Sequence, residues 1–287
     1  MVKENEVDYS LLKLVDFALE KKEEFDLEAS LEKIIGLENV KNFLRNQYNI
    51  LKAQEKRRNL GVSTDVTQSL NMIFIGNPGT GKTTVARMIG SILYNLKYIK
   101  QNKLIEVSSK DLVAEYVGQT AVKTMNVVEK AMGGILFVDE AYALADKGND
   151  NSFNGEAIAT LIKAMEDHRD NLVVIFAGYT KEMQDFLDSN SGIVSRIGYT
   201  LEFDDYTNDE LKAIFSGMVK KAGFVLEEDA LVEVDNLINE HRFDKNFGNA
   251  RFVRNIYEKT VINHASNTRD VKNKKILKTI TKDDITL

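Results

Sequence analysis

The sequence predicts an α/β fold, in which a parallel β-sheet flanked by helices is followed by a small helical domain. Five short apolar runs bounded by turn residues are the predicted strands: Met72–Ile75, Leu104–Val107, Ile135–Val138, Leu172–Ala177 and Thr200–Phe203. Helical patterns separate the first four runs, and strands that alternate with helices indicate a parallel sheet covered on both faces. After Asp205 helical patterns follow one another, which places a domain boundary near residue 206.

The segment before the sheet is predicted to be helical. Residues 1–30 form a helical lead-in, whose apolar face consists of Leu11, Leu12, Val15, Ala18 and Leu19. A second helix is expected from Glu38 to Asn59, and the polar segment Gly61–Ser69 is expected to be a loop. The helices between strands are predicted at Thr83–Leu96, Ala121–Met132 and Gly155–His168.

The C-terminal region, residues 207–287, is predicted to be a separate helical domain, after an α/β domain of residues 31–206. Thr207 followed by Glu210 has the pattern of a capping box at a helix start. Helices are expected at about residues 208–221, 228–240 and 249–266. A short strand and a final turn, Thr281–Asp284, are expected near the end.

Composition restricts the classes of function. Of the 287 residues, 43% are hydrophobic and 29% charged, which is ordinary for a globular protein. The net charge of −6 gives no electrostatic reason to expect nucleic acid as a partner. Cysteine is absent, the N-terminus lacks the apolar core of a signal peptide, and the apolar runs are too short for a bilayer. We therefore expect a cytoplasmic protein without membrane insertion.

A phosphate-binding loop between the first predicted strand and the next helix is the clearest motif. It fits G-x-x-x-x-G-K-[ST] at every fixed position and reads Gly76-Asn77-Pro78-Gly79-Thr80-Gly81-Lys82-Thr83, with Thr84 next. Glycines let backbone N–H groups approach phosphates, and the helix N-terminus attracts an anion. Lys82 is expected to reach the β- and γ-phosphates, and the Thr83 hydroxyl to bind Mg²⁺. The predicted ligand is a nucleoside triphosphate with magnesium.

A pair of carboxylates follows the third predicted strand. Asp139 and Glu140 come directly after the apolar run Ile135–Val138, and a buried parallel strand delivers its C-terminal residues to the ligand edge of the sheet. Asp139 is expected to hold magnesium, directly or through water. Glu140 is placed to act as general base on the attacking water, so the pair predicts hydrolysis in addition to binding.

Taken together, these motifs resemble the AAA+ ATPases, and within that class the CbxX/CfqX family, which includes red-type Rubisco activase and stage V sporulation protein K. The resemblance covers roughly residues 31–265, and its most specific stretches are Gly76–Thr84, Leu112–Thr120, Ala131–Tyr142, Ala177–Tyr179 and Gly248–Asn255. It implies a P-loop AAA+ fold with five parallel strands, flanking helices and a C-terminal helical lid. It also implies ATP as the nucleotide and a homo-oligomer, a hexameric ring, that acts on a protein client.

The resemblance assigns further site residues. Ile35 and Gly36 match the segment that lines the adenine pocket, and Tyr179 occupies the sensor-1 position after the fourth strand. Arg196 matches the arginine finger, which reaches the site of a neighbouring subunit, and Arg251 matches the sensor-2 arginine of the lid. For each there is a plainer interpretation: a surface ion pair at Arg196, a solvated charge at Arg251, and packing at Tyr179.

A loop facing a central pore is also implied by the resemblance. Tyr116, Val117 and Gly118 match its aromatic–hydrophobic–glycine pattern, and an aromatic ring can grip many polypeptide sequences through apolar contact. A tyrosine simply packed in its loop is the alternative. The polar stretch Asp146–Asn154 is either a second pore loop or a disordered surface loop.

One position departs from the family pattern. Related chains commonly have a larger polar or basic residue two before the finger, where this chain has Val194 in the stretch Gly192–Ile197. The finger is therefore assigned to Arg196 alone, and activation between subunits is weakened here if the family needs both. The histidines, His168, His241 and His264, have no metal-ligand spacing and are predicted at the surface.

Three functions remain open at the level of sequence. An ATP-driven protein remodeller is favoured by Glu140 and Tyr116. A nucleotide-switched assembly or scaffold protein is the second, and a DNA-handling motor is disfavoured by the acidic balance. For the remodeller, Rubisco activation is less favoured than a client in sporulation or secretion, because the Lys-, Asn- and Ile-rich composition suggests an AT-rich bacterial genome.

Overall fold

The computed structural model describes residues 25–62, 69–145, 153–244 and 247–287. Most of the predicted lead-in lies outside these ranges, as do most of the polar loop at 61–69 and of the stretch Asp146–Asn154. The described chain begins with two helices, α1 (Leu27–Leu31) and α2 (Glu38–Asn59). The predicted bounds of the second helix are therefore confirmed.

Five parallel strands form the central sheet: β1 (Met72–Gly76), β2 (Leu104–Val107), β3 (Ile135–Val138), β4 (Val173–Gly178) and β5 (Tyr199–Phe203). Their order across the sheet is β2-β3-β4-β1-β5, and every neighbouring pair is parallel. The predicted parallel sheet is confirmed, with each strand end within one residue of its prediction. Because parallel strands end on one edge, the segments that follow β1, β4 and β3 lie side by side there.

Helices connect the strands. The long ones are α3 (Lys82–Asn95), α5 (Thr120–Ala131) and α6 (Phe153–Asp167), and each agrees with its prediction within two residues. Three shorter helices were missed, because four to nine residues are too few for a clear apolar repeat: α4 (Ser109–Leu112), α7 (Thr180–Asp188) and α8 (Ser191–Val194).

Each face of the sheet is buried under its own set of helices. Phe74 and Phe137 pack with residues of α2, α3 and the C-terminal helices, whereas Ile73 and Leu136 pack with residues of α4 to α7. Successive residues of a strand point to opposite faces. Burial of both faces explains why the strands read as continuous apolar runs in the sequence.

The longest described helix, α2, has 22 residues and buries only one side. Val40, Leu44 and Leu51 are its buried residues, and its last turn carries Lys56, Arg57 and Arg58. Positive charges at the C-terminal end of a helix interact favourably with the helix dipole. Among the described residues, no helix combines the length and the apolar character that crossing a membrane requires.

The C-terminal lid consists of α9 (Asn208–Lys221), α10 (Glu228–His241) and α11 (Ala250–Asn267), with two short parallel strands, β6 (Val225–Leu226) and β7 (Thr279–Ile280). The capping box predicted for α9 is confirmed. The Thr207 hydroxyl accepts the Glu210 N–H at 3.3 Å, and the Glu210 carboxylate accepts the Thr207 N–H at 2.7 Å.

The surface position predicted for His264 is wrong. Its side chain is buried, Nδ1 lies 3.0 Å from Asp284 Oδ2, and Nε2 lies 3.2 Å from the Leu277 carbonyl oxygen. His168 and His241 are partly exposed. The contact at His264 depends on the fold of the last residues against α11, and this long-range contact has no periodic signal in the sequence.

Asp284 should make the stability of the lid depend on pH. Burial raises the pKa of this carboxyl, but hydrogen bonds from the Thr281 backbone, Asn267 and His264 outweigh it and hold the pKa below its ordinary value of 3.8. A carboxyl whose pKa is lower in the folded than in the unfolded state stabilises the fold. This contribution is fully present when the pH is above the ordinary pKa, and it is lost as the pH falls through the folded-state pKa. We expect Asp284→Asn to lower the free energy of unfolding by about 2 kcal/mol at pH 7, the usual size for hydrogen bonds to a charged group.

Urea unfolding between pH 7 and pH 3 measures this difference. The gap between wild type and Asp284→Asn should narrow once the pH falls below about 4, where carboxyl groups begin to protonate. Asp283→Asn, at the exposed neighbouring position, is the matched control and should change little. A gap that stays constant over the whole range would show that the Asp284 carboxylate is not responsible.

Candidate nucleotide-binding site

The loop from β1 to α3 has the backbone shape that an anion-binding turn requires. Gly79 and Gly81 have φ angles of 71° and 95°, in the left-handed region that residues with a Cβ rarely adopt. A Cβ at Gly79 would also collide with the Gly248 carbonyl oxygen of the lid. Thr80 is buried and its hydroxyl donates to the Asn77 carbonyl at 2.9 Å, which fixes the turn from inside.

Lys82 lies inside this loop at the first residue of α3. Its Nζ donates to the carbonyl oxygens of Gly76 and Asn77, both at 2.8 Å. Burial lowers the pKa of Lys82; Asp139 raises it, and Arg251 lowers it further. Asp139 and Arg251 therefore both lie within electrostatic range of Lys82, although the sequence separates the three residues widely.

Asp139 and Glu140 follow β3 at the same edge of the sheet. The Glu140 N–H donates to Asp139 Oδ1 at 3.0 Å, which orients the carboxylate. Glu140 has φ 49° and ψ 43°, a left-handed conformation that is uncommon for residues other than glycine. Its side chain is exposed, and a general base must come within hydrogen-bond reach of the water that it activates.

Two tyrosines lie beside the acidic pair. The rings of Tyr142 and Tyr179 are 5.4 Å apart, and burial, together with the charge of Glu140 and contact with Tyr179, raises the pKa of Tyr142. Since β4 lies between β3 and β1, Tyr179 is positioned between the carboxylates and the phosphate loop. Tyr142 was not predicted as a site residue, because an aromatic residue after the acidic pair has no spacing rule of its own.

The turn that contains Ile35 and Gly36 reaches the same end of the loop. The side chain of the next residue, Leu37, lies close to Gly81, since a Cβ added at Gly81 would be 3.5 Å from it. The Tyr206 hydroxyl donates to the Thr80 carbonyl at 3.3 Å. Gly36 has φ 63°, and a Cβ there would collide with the Glu210 carboxylate. This turn, Tyr206 and Glu210 form one wall beside the loop, and it is here that the family resemblance implies the adenine pocket.

The lid touches the loop directly at the start of α11. The Ala250 N–H donates to the Gly79 carbonyl at 3.2 Å, and Arg251 is exposed at the next position, close enough to affect Lys82. Asn249 and Asp205 also contact the loop, and the sequence did not indicate either of them. They lie 44 residues apart in the chain, and only the fold brings them together.

The residues present fit a nucleotide with magnesium. Lys82 and the backbone N–H groups of the loop would hold the phosphates, while the Thr83 hydroxyl and Asp139 would hold the ion. Within the described ranges, no group of three or more His, Cys, Asp or Glu side chains could hold a metal. Magnesium bound to phosphates needs only one or two carboxylates and keeps several waters, so Asp139 with Thr83 is a sufficient protein contribution. Thr84 is exposed in the same turn of α3.

Arg196 lies at the opposite edge of the sheet. It precedes β5, and the first residue of β5 pairs with Met72 at the start of β1. The phosphate loop begins at the other end of β1, at Gly76, which pairs with Phe203 at the end of β5. Four residues of a strand span about 13 Å, so Arg196 is not brought together with its own phosphate loop. Its Nη1 donates to the Gly192 carbonyl at 3.0 Å, and its Nε forms an ion pair with Glu166 at 3.2 Å.

The loop between α4 and α5 is anchored at its base and exposed at its tip. The buried Thr120 hydroxyl accepts the Ala114 N–H at 3.1 Å. At the tip, Tyr116 is 67% and Val117 88% exposed. Gly118 has φ 79°, and a Cβ there would have no atom within 4 Å. The aromatic and aliphatic side chains of this tip therefore take no part in the core.

Comparison with known proteins agrees with this geometry. Residues 72–205 match the model of the ATPase family associated with various cellular activities (AAA), and residues 207–287 match an AAA lid domain. The Thermotoga maritima RuvB Holliday junction branch migration motor shares the fold, with a TM-score of 0.57 and 22% identity over 88% of this chain and 68% of that one.

Closer similarity is found among curated proteins. Protein CbbX of Cereibacter sphaeroides is 40% identical over 84% of this chain and 77% of its own length. The chloroplastic ribulose bisphosphate carboxylase/oxygenase activase of Cyanidioschyzon merolae is 41% identical (88% and 87%), and stage V sporulation protein K of Bacillus subtilis is 38% identical (82% and 74%). The chain therefore belongs to the CbxX family of AAA+ ATPases and is an ATP-hydrolysing enzyme.

Proposed function

We propose that this chain forms a ring-shaped homo-oligomer, a hexamer, in which hydrolysis of ATP with Mg²⁺ drives the remodelling of a protein client through a central pore. The observation that carries the proposal is the exposed tip of Tyr116 and Val117. Large apolar side chains that are exposed on an anchored loop are suited to contact another molecule. An aromatic next to a flexible glycine, Gly118, can grip varied sequences and move with the nucleotide state.

The position of Arg196 supports assembly into a ring. A guanidinium at the edge opposite to its own phosphate loop cannot serve that loop, but it can serve the loop of a neighbouring copy. In this proposal each ATP is held by Lys82, Thr83 and Asp139 of one subunit, with Glu140 as general base. The next subunit supplies Arg196, and Tyr179 and Arg251 report the presence of the γ-phosphate.

The client is proposed to be a protein of unspecified identity. Among the relatives, one is named as an activase of ribulose bisphosphate carboxylase/oxygenase and another as a stage V sporulation protein. The two names differ in the process that each protein serves, so the client of this chain has to be found by capture. Glu140→Gln is the variant for that capture, because it should bind ATP, hydrolyse it slowly and hold the client.

Tyr116→Ala should abolish remodelling and leave ATP hydrolysis without client close to that of wild type, because an exposed substitution of this kind changes stability by no more than about 0.5 kcal/mol. Tyr116→Phe keeps the ring and should retain remodelling, which makes it the matched control. The measurement is the ATP-dependent protease susceptibility of the captured client. Remodelling by Tyr116→Ala at the wild-type rate would refute the role of this loop.

A scaffold function gives a different set of results. If wild type shows no ATP-dependent effect on any captured protein, and Glu140→Gln recovers only copies of the chain itself, the nucleotide serves assembly and the remodelling proposal fails. Tyr116→Ala would then behave like wild type in all measurements.

A further inference from the structure

A single buried side chain, Asn249, connects the phosphate loop to the lid. It is 0% exposed at the residue preceding α11. Its Oδ1 accepts the Tyr206 N–H at 3.1 Å, and its Nδ2 donates to the Pro78 carbonyl at 3.3 Å and to Asp205 Oδ1 at 2.8 Å. One amide therefore joins three segments: the loop, the linker from β5 to α9, and the start of α11.

The backbone conformation of Asn249 indicates that this position requires the asparagine side chain. Its φ of 47° and ψ of −124° are unfavourable for a residue with a Cβ, and glycine would adopt them more easily. Such a conformation persists where the surroundings hold it in place. Here the three hydrogen bonds hold it, and each of them needs the amide that glycine lacks.

The phosphate loop and the lid are in direct backbone contact. The Ala250 N–H donates to the Gly79 carbonyl at 3.2 Å, and a Cβ at Gly79 would come within 2.9 Å of the Arg251 nitrogen. A shift of Pro78 or Gly79 toward the lid would therefore push against the first turn of α11, which carries Arg251, and a shift away from the lid would break the hydrogen bond from Ala250.

Asp205 adds a negative charge to this cluster. Its two carboxylate oxygens accept the Asn77 amide, both at 3.0 Å, and Lys82 Nζ donates to the carbonyl of that same Asn77. A triphosphate in the loop would attract Lys82 to its own oxygens and would place negative charge near Asp205. Both changes act on Asn77, which the Asp205–Asn249 pair ties to the lid.

We propose that Asn249 is a positioning residue that couples occupancy of the phosphate loop to the placement of the lid, and so of Arg251. Coupling of this kind needs an element whose arrangement both sites bias, and the contact from Pro78 to Ala250 is that element. The proposal rests on nucleotide binding at this loop and is independent of the ring, the pore and the client.

The test compares wild type with Asn249→Gly, which accommodates the backbone conformation and removes only the amide. The affinities of the full chain for ATPγS and for ADP, each with Mg²⁺, are measured by calorimetry. Lid placement is measured as the distance between spin labels at Lys130→Cys and Lys259→Cys, two exposed positions on the α/β domain and the lid. The chain has no cysteine of its own, so labels attach only there, and excess unlabelled protein removes distances between subunits.

In wild type we expect ATPγS to change the label distance and to bind more tightly than ADP. In Asn249→Gly the distance change should disappear, and the ratio of ADP to ATPγS dissociation constants should fall by about 5–150-fold, the range of ordinary coupling free energies. Asn77→Ala, an exposed substitution that separates the loop from Asp205, should act in the same direction if Asn249→Gly does not fold.

An equal loss of affinity for both nucleotides would mean that Asn249 is merely structural, and an unchanged ratio with an unchanged distance shift would mean that the amide couples nothing; either result overturns the proposal. Asn249→Asp provides a further check, because it would place a second carboxylate beside Asp205 and should abolish the distance change as well. A chain that discriminates between nucleotides in this way but remodels no client would refute the proposed function alone.

Discussion

Arg196→Ala should lower kcat for ATP hydrolysis by about 10³–10⁵-fold, the usual contribution of an arginine finger, while ATP affinity stays near that of wild type. Arg196 lies three residues before β5, whose first residue, Tyr199, is itself about 13 Å along the sheet from the start of the phosphate loop, given four residues of about 3.3 Å each. It therefore cannot contribute to ATP binding within one subunit. Steady-state hydrolysis and calorimetric binding of ATPγS measure the two quantities separately.

Arg169→Ala is the matched control for this prediction. Arg169 and Arg196 line the same cavity of about 490 Å³ at the amino edge of the sheet, and both are cations, but only Arg196 matches the motif. Arg169→Ala should hydrolyse ATP at close to the wild-type rate, because a surface substitution of this kind changes stability by no more than about 0.5 kcal/mol. If both variants lost ATP hydrolysis to a similar extent, this edge of the sheet would need positive charge in general, and Arg196 could not be assigned as the arginine finger.

Glu140→Gln should lower kcat by about 10²–10⁴-fold, the range for loss of a general base. The amide keeps the size and most contacts of the carboxylate but cannot accept a proton from water. Binding of ATP should persist, because Lys82 and the loop are unchanged. A single-turnover experiment should show slow hydrolysis, with ATP retained on the protein.

Glu182→Gln is the corresponding control, since Glu182, like Glu140, adds to the raised pKa of Tyr142 but lies within α7 and not directly at the end of a strand. It should leave kcat close to that of wild type, because Glu182 is exposed and a surface substitution changes stability by no more than about 0.5 kcal/mol. If Glu140→Gln hydrolyses ATP at the wild-type rate, the base is a different group, and Asp139 would have to be reconsidered for that role.

The sequence predicted most of the fold because the sheet is buried on both faces. Runs such as Ile135–Val138 are apolar throughout and end at turn residues, so their bounds came within one residue of those observed. Short helices were missed for the opposite reason. Ser109–Leu112 has only four residues, too few to show an apolar repeat, although the structure gives it a capping box of Ser108 and Asp111.

The candidate site was predictable as far as its motifs are local. The phosphate loop and the pair Asp139-Glu140 are continuous in sequence, and the chemistry of each follows from residue type and context. Asn249 and Asp205 were not predictable, because their contact depends on how the lid rests on the loop. The burial of His264 was missed in the same way, since the final turn at Asp284 covers it.

Val194 is the position near the finger at which this chain departs from the family pattern. Its side chain is 48% exposed and lies near Arg196 in the chain, so an arginine at this position would have enough space and would be in contact with solvent. Val194→Arg tests whether this position limits activation between subunits. An increase in kcat that requires Arg196 would show that the family pattern with two arginines is the more active arrangement.

The central claim is that each ATP site is shared between two copies of the chain, and mixing two inactive variants tests it most directly. Arg196→Ala subunits keep Glu140, and Glu140→Gln subunits keep Arg196, so a mixed oligomer contains some interfaces where both residues are intact. We predict that each variant alone is nearly inactive and that the mixture regains ATP hydrolysis in proportion to the number of such interfaces. A mixture that stays as inactive as its components, although the two variants co-assemble, would contradict the shared site.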